Sequence, residues 1–191
     1  MGKIIVFLSL TILLISCKQN NPKVVIETNL GDITLELYEK EAPITTNNFI
    51  KYIDEKRYKG ATFYRVVTQG NQPNSKVKIE VIQGGLYEDN HPQNLAPIPH
   101  ESTDKTGILH LNGVISMARY EPGTATFEFF ICVGDQPLLD FGGNRNPDND
   151  GFAAFGKVIN GMDVVRKIQQ QPERDQYLDP RIPIINMRII Y

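Results

Sequence analysis

The sequence predicts a single, mainly β domain built as a barrel or a sandwich. Three observations carry this. Short apolar runs with a two-residue period recur along the chain. Turn signals rich in Gly, Pro and Asn separate them at regular intervals. Only two stretches switch to the 3.6-residue period of a helix. No internal repeat and no second domain interrupts the 191 residues.

The first residues stand apart from this domain. Met1-Gly2-Lys3 is a short basic start, and Ile4 to Ile15 is almost wholly apolar, broken by Ser9 and Thr11. That run is too short for a membrane-spanning helix, which needs about 20 apolar residues, and reads as a signal-peptide core. It ends in "LISC", Leu14 to Cys17. This ending resembles the bacterial lipobox, in which cleavage precedes the cysteine and the cysteine carries lipid. "CKQNNP", Cys17 to Pro22, is polar and reads as a tether. The expected organisation is a leader over 1–16, a tether over 17–22 and the folded domain over 23–191.

Within the domain, "KVVIETNLGDITLELY" reads as two strands around a turn at "TNLGD", with Ile33, Leu35 and Leu37 giving the alternation and Gly31 free to take a positive φ. "EAPITTNNFIKYIDEKRY" changes period: Phe49, Ile50 and Ile53 recur at helical spacing, Thr45 or Thr46 is placed to cap the start, and Pro43 falls just outside. "ATFYRVV" returns to strand. A polar stretch, Thr68 to Glu80, precedes the strand "VIQGGLY", and a proline-rich loop, Glu88 to Pro99, follows it. "GVISMARY" and "FEFFICV" are strands separated by "EPGTAT". Asp135 to Gly151 is a long loop, "FAAFGKVI" a strand and "GMDVVRKIQQQ" a second helix with Met162, Val165 and Ile168 on one face. "PIINMRIIY" closes the chain as a strand.

One strand raises a question. With a two-residue period, Phe63, Arg65 and Val67 of "ATFYRVV" share one face, and Tyr64 and Val66 the other. An always-charged guanidinium thus lies in line with two apolar side chains.

Several chemistries fail on the residues. Loss of residues 1–16 removes one lysine and takes the formal charge from -2 to -3, a mildly acidic balance unlike a nucleic-acid surface. With Cys17 lipidated, Cys132 has no partner and reads as a small buried hydrophobe in "FFICV". "NPDNDG", Asn146 to Gly151, looks like the start of a calcium loop, yet its twelfth position is Lys157 and its first is Asn146, so it reads as a turn-rich loop. His91, His100 and His110 lack metal spacing, and His110 reads as structural. No serine has a nucleophile-elbow context, and Gly84-Gly85 opens no phosphate loop. Hydrolysis, metal chemistry and nucleotide binding are therefore unsupported, and no cofactor or metal is called for.

Five motifs in order carry a resemblance: "FYRVV", "IQGG", "GVISMAR", "FEFFICV" and "FAAFGKVINGMDVV". Together with the helix "APITTNNFIKYIDEKRYKGATFYRVV" before the first, they resemble the cyclophilin family of peptidyl-prolyl isomerases over most of Lys23 to Tyr191. The resemblance implies a closed eight-stranded antiparallel barrel capped by two α-helices. It implies Arg65 as the catalytic residue, on the barrel's outer face. It gives Gln83 as the glutamine that binds substrate backbone, Phe130 as the floor of the proline pocket, Ala118 and Arg119 as the strand edge facing the peptide, and Leu139 as a pocket leucine. Val81, Glu128, Leu138 and Phe152 occupy further substrate-binding positions. The implied partners are proline-containing polypeptides, with no nucleic acid, and the chain is expected to act as a monomer.

The chain departs from the family pattern in four places. The turn between the arginine strand and "QGG" is long, 15 residues from Thr68 to Ile82. Glu80 and Val81 stand where Phe and Met are usual, with Ile79 an alternative occupant if the alignment slips. Glu128 replaces a common Gln and is expected near Arg65, where it could pair with it and partly neutralise it. Leu138 stands where an aromatic is common, and Phe152 where His or Tyr is. Two functions stay open on these residues. The first is an isomerase assisting exported proteins in the bacterial cell envelope, lipid-anchored through Cys17. The missing acid after Cys17 points to the outer membrane, facing the periplasm. The second is a proline-peptide binding or chaperone-like module with little catalysis. Arg65 and Gln83 favour the first, and Glu80 and Leu138 speak for the second.

Overall fold

The computed structural model describes residues 21–190. The leader, Cys17 and most of the tether lie outside the described residues. Nine strands run β1 (Lys23–Thr28), β2 (Gly31–Leu37), β3 (Thr62–Val67), β4 (Val81–Gly85), β5 (Val114–Met117), β6 (Phe129–Cys132), β7 (Ala153–Asn160), β8 (Glu173–Arg174) and β9 (Tyr177–Ile190). Their order is β1-β2-β7-β5-β6-β4-β3-β9, and β9 also pairs with β1, which closes eight strands into an antiparallel barrel. The short β8 extends β9 as a hairpin on the outside of that ring. Closure removes the free edges of the eight strands.

The alternation of each strand divides its side chains. Inward residues such as Ile33, Leu35, Leu37, Phe63, Val66, Ile82, Phe129, Ile131 and Phe155 form one core. Phe129 is fully buried and meets Phe49, Tyr58 and Phe63 edge to face at 5.5–5.9 Å, each such pair contributing about 0.5–1.5 kcal/mol beyond area burial.

Helix α1 (Pro43–Asp54) buries Phe49, Tyr52 and Ile53 in this core, and α3 (Met162–Gln169) buries Val164, Val165 and Ile168. A third helix, α2 (Thr103–Thr106), is a single turn whose four residues give the sequence no period to reveal. The start of α1 differs from expectation. Pro43 is inside the helix at its first turn, where its missing N–H costs nothing. Neither Thr45 nor Thr46 caps it. The capping acceptor is Glu101, far along the chain, whose carboxylate accepts from the backbone N–H of Ile44 at 3.2 Å and of Thr45 at 2.7 Å, and from the Thr45 hydroxyl at 2.7 Å. Local propensity could not show a cap delivered by a remote residue.

The face assignment of β3 is also corrected. The register of β3 against β4 and against β9 shifts between Phe63 and Arg65. Tyr64 is the extra residue of a bulge, which resets the alternation. Phe63 and Val66 point into the core, while Tyr64, Arg65 and Val67 lie on the outside. The guanidinium thus shares no face with Phe63.

Candidate active site

The outer face of the barrel carries the candidate residues along one rung. Arg65 on β3 lies opposite Gln83 on β4, Gln83 opposite Phe130 on β6, and Phe130 opposite Ser116 on β5. Residues two apart on a strand share a face, so Val81 joins Gln83 and Cys132 joins Phe130. Val67, Ile79, Val81, Phe130, Cys132 and Leu139 form a second apolar cluster, with Ala118 and Phe152 packed against it. Above it opens a groove of about 620 Å³.

Phe130 is the floor of the apolar end. The imidazole of His110 stacks on it from below at 5.9 Å between centroids, and Phe152 meets it edge-on at 5.3 Å. His110 is itself fixed: Nδ1 bonds Asp140 Oδ1 at 2.7 Å and Nε2 bonds the Ser116 hydroxyl at 3.0 Å. This is the structural role expected of it. Cys132 is buried, and burial pushes its thiol well above its ordinary range, which leaves it a packing residue.

Arg65 is held from two sides. Its Nη1 donates to Gln83 Oε1 at 2.9 Å, while Nε and Nη2 donate to Gln176 Oε1 at 3.1 and 2.5 Å. A guanidinium has five N–H donors. Three are engaged, which leaves one on each Nη for the groove. Partial burial disfavours the charged form and lowers the Arg65 pKa, though arginine stays protonated throughout the working range. Among the described residues no carboxylate is paired with Arg65.

Glu128 does not make the pairing with Arg65 that its position allowed. Its Oε1 accepts from the Tyr87 backbone N–H at 2.8 Å, and its Oε2 accepts from the Tyr64 hydroxyl. Burial raises its pKa, opposed by these bonds. Glu128 lines the groove with both oxygens already engaged.

The remaining site residues divide. Val81, Ala118, Leu139 and Phe152 line the groove with Phe130. Ile79 lines it too, filling the wall where Glu80 had been aligned, whereas Glu80 is off the groove and its N–H donates to Gln136. Arg119 borders the groove, but its side chain is buried and occupied. It donates twice to Asp148, at 2.8 and 2.9 Å, and to the Gly151 carbonyl. It clamps the 135–151 loop instead of offering donors to a peptide. Its hydrogen bonds hold the Asp148 carboxyl down at about 2. Leu138 is not in the groove. Pro137–Leu139 is a 3-10 turn that buries Leu139 and turns Leu138 out to 39% exposure. Successive residues of such a turn point in different directions, which motif alignment does not register.

Residues that sequence reasoning missed complete the site. Gln176 lies in the tight turn between β8 and β9, where Asp175 and Gln176 both take positive φ, 53° and 74°. The turn "RDQY" lacks the Gly or Asn that marks such hairpins, so nothing in the sequence brought Gln176 to Arg65. Arg145 comes from the other long loop and donates to the Val77 carbonyl at 2.7 Å and the Ser75 hydroxyl at 3.1 Å, which pins the 68–80 insertion beside the groove. Among the described residues no cluster of His, Cys, Asp or Glu is placed to hold a metal ion.

The comparisons with known proteins agree with this geometry. Residues 23–189 match the family described as cyclophilin type peptidyl-prolyl cis-trans isomerase/CLD. The chain is 37% identical over 171 residues to a peptidyl-prolyl cis-trans isomerase of Acinetobacter baylyi, covering 89% of this chain and 84% of that one. It is 34% identical over 147 residues to peptidyl-prolyl cis-trans isomerase B of Escherichia coli, covering 76% of this chain and 83% of that one. A cyclophilin of Cryptosporidium parvum superposes with a TM-score of 0.70 at 22% identity, over 90% of this chain and 98% of that one, which speaks for the fold. A barrel closed in this strand order, a guanidinium held over an apolar pocket and a family match across nearly all the described residues place the chain in the cyclophilin type peptidyl-prolyl cis-trans isomerase family.

Proposed function

We propose that this cyclophilin accelerates rotation about X–Pro bonds in polypeptides exported to the bacterial cell envelope, with Arg65 as the catalytic residue. The observation that carries the catalytic part is the pair of Arg65 N–H donors left over an apolar pocket by the bonds to Gln83 and Gln176. A proline ring seated on Phe130, between Ile79, Val81, Leu139 and Phe152, brings its ring nitrogen beside Arg65. The planar amide resists rotation by about 18–20 kcal/mol. Twisting removes the resonance and leaves a lone pair on that nitrogen. A donor there stabilises the twisted state more than either planar isomer, which is differential binding of the transition state. Gln83 spends its carbonyl on Arg65 and an N–H on Tyr64, and its amide also faces the Glu128 carboxylate, so its role here is to hold Arg65 at the rim of the groove. No bond is made or broken, and no metal or cofactor takes part. A cyclophilin of Cryptosporidium parvum has been crystallised in the presence of the dipeptide Ala-Pro, a ligand of the chemistry this pocket suits.

The envelope setting rests on the sequence before the barrel: a leader over 1–16, Cys17 as the lipid-bearing residue, a tether over 17–22 and an isomerase domain over 23–191. The absence of an acid after Cys17 favours the outer membrane. The features that spoke for a non-catalytic module have less weight, because Glu80 and Leu138 both stand off the groove.

The test uses the full chain. In membrane fractions, wild type is expected to carry lipid at Cys17 by mass spectrometry and Cys17→Ala to become soluble. Purified wild type is expected to shorten the slow proline-limited refolding phase of an exported protein, which takes about 10–100 s uncatalysed. An unmodified Cys17 would remove the anchored reading, and an unaltered slow phase would remove the folding role.

A further inference from the structure

We propose that Tyr64 and Glu128 are positioning residues that hold Arg65 in place by fixing which way the Gln83 amide points, an inference that rests on the catalytic role assigned to Arg65. The groups form one chain of hydrogen bonds, and its direction is set at the Glu128 end. Glu128, when ionised, is acceptor-only. One oxygen takes the Tyr87 backbone N–H at 2.8 Å and the other takes the Tyr64 hydroxyl proton. That proton is the only one Tyr64 has. The Tyr64 oxygen must then act as acceptor, and it receives Gln83 Nε2 at 2.5 Å. With its NH2 committed there, and drawn by the Glu128 carboxylate as well, Gln83 presents its carbonyl oxygen to Arg65 Nη1 at 2.9 Å. The flipped amide would set N–H donors against guanidinium donors and release Arg65 on that side.

Two backbone features make room for this chain. The bulge in β3 brings Tyr64 to the same outer side as Arg65, where regular alternation would put it opposite. Gly85 leaves space for the carboxylate: a Cβ there would lie 2.6 Å from Glu128 Cδ. Tyr64 is buried and Glu128 half-buried at the groove. Burial raises the pKa of each, and for Tyr64 the adjoining carboxylate adds to the effect, so the phenol keeps its proton.

The decisive variant is Tyr64→Phe. It keeps the ring that packs edge-on against Tyr87 at 4.9 Å and deletes the oxygen. Prolyl exchange on an X–Pro peptide is expected to fall about tenfold, the scale of one charge-assisted hydrogen bond lost. In a Gln83→Ala background the same change is expected to cost less than about twofold, because the group it acts through is gone. The Arg65 Nε–Hε signal in 15N NMR is expected to be sharp in wild type and to broaden or average in the variant. Glu128→Gln is the companion, since Tyr64→Phe leaves a buried carboxylate one bond short. An amide has one acceptor oxygen and must turn its NH2 toward either the Tyr87 N–H or the Tyr64 oxygen, so the same broadening is expected. Equal losses in both backgrounds, or an unchanged Arg65 signal in the folded variants, would overturn the proposal. The signal reports the positioning even if wild type proves no faster than Arg65→Ala, a result that would instead remove the catalytic reading.

Discussion

Gln176 gives the sharpest test of how Arg65 is held. Its Oε1 takes two of the three engaged guanidinium protons, at 3.1 and 2.5 Å, and its Nε2 donates to the Asn71 carbonyl at 3.1 Å in the 68–80 insertion. Gln176 does not line the groove, so its removal acts on substrate chiefly through Arg65, with the Arg145 bonds still holding the 68–80 insertion in place. Gln176→Ala deletes the acceptor and leaves a long, rotatable cation tethered at Gln83 alone. Hydrogen bonds to charged groups contribute about 1.5–3 kcal/mol. With the bond geometry lost in ground and twisted states alike, the part that reaches the barrier is the cost of reordering Arg65, which corresponds to about 10–100-fold in the exchange rate. NMR exchange spectroscopy on an X–Pro peptide, run over a range of peptide concentrations, separates turnover from binding. A fall in kcat with KM within about twofold is expected. Gln176→Glu is the control for charge. It keeps an acceptor in place but pairs the cation, so it is expected to lower turnover with Arg65 still ordered. Unchanged turnover in both variants would refute the idea that positioning and free charge at Arg65 set the rate.

Two further outcomes follow from features away from Arg65. Glu101→Ala removes the acceptor that caps α1 from a distance and leaves the Ile44 and Thr45 N–H groups and the Thr45 hydroxyl short of a partner. A loss of about 1–3 kcal/mol is expected, read as a fall in Tm of roughly 2–12 °C for a chain of this size, with exchange activity per folded molecule retained. The Arg119–Asp148 clamp has an acid signature. Because the Asp148 carboxyl is depressed to about 2 from its ordinary 3.8, its contribution is present above pH 4 and lost as pH falls through about 2. Acid unfolding of wild type is expected to steepen between pH 4 and pH 2 relative to Asp148→Asn, and coincident curves would contradict this.

Much of the fold was legible because barrel strands announce themselves by alternation and by the turns between them. The strands around Ile33–Leu37, Val81–Gly85 and Phe129–Cys132 lie where the period puts them. Legibility failed where a local rule is overridden by a distant partner. The α1 cap comes from Glu101, and no reading of Thr45 and Thr46 alone could supply it. The β3 bulge breaks the period at the very residue that matters, so strict alternation put Arg65 with Phe63 and hid Tyr64. The site shows the same division. Arg65, Gln83 and Phe130 fall on one rung, and Val81 and Leu139 in the pocket beside it, as the motifs imply. Arg119 and Glu128 border the groove as the motifs imply, while the Glu128 pairing and the place of Leu138 were misjudged, because a motif gives a position along the chain but not the partners a side chain finds there. Glu128 found Tyr64, Arg119 found Asp148, and Leu138 was turned outward by a 3-10 turn. Gln176 carried no motif at all.

In the proposed mechanism the unpaired charge of Arg65 lowers the barrier to prolyl rotation without being needed to seat the proline. The most direct measurement is cis/trans exchange of an X–Pro peptide by NMR, without a coupled protease, on wild type and Arg65→Ala, with peptide affinity measured on the same samples. The expected result is retained binding, carried by Phe130 and the apolar wall, with exchange in Arg65→Ala slowed by about 100-fold or more, the scale of an electrostatic donor removed from a transition state. Equal exchange rates in the two proteins would contradict it.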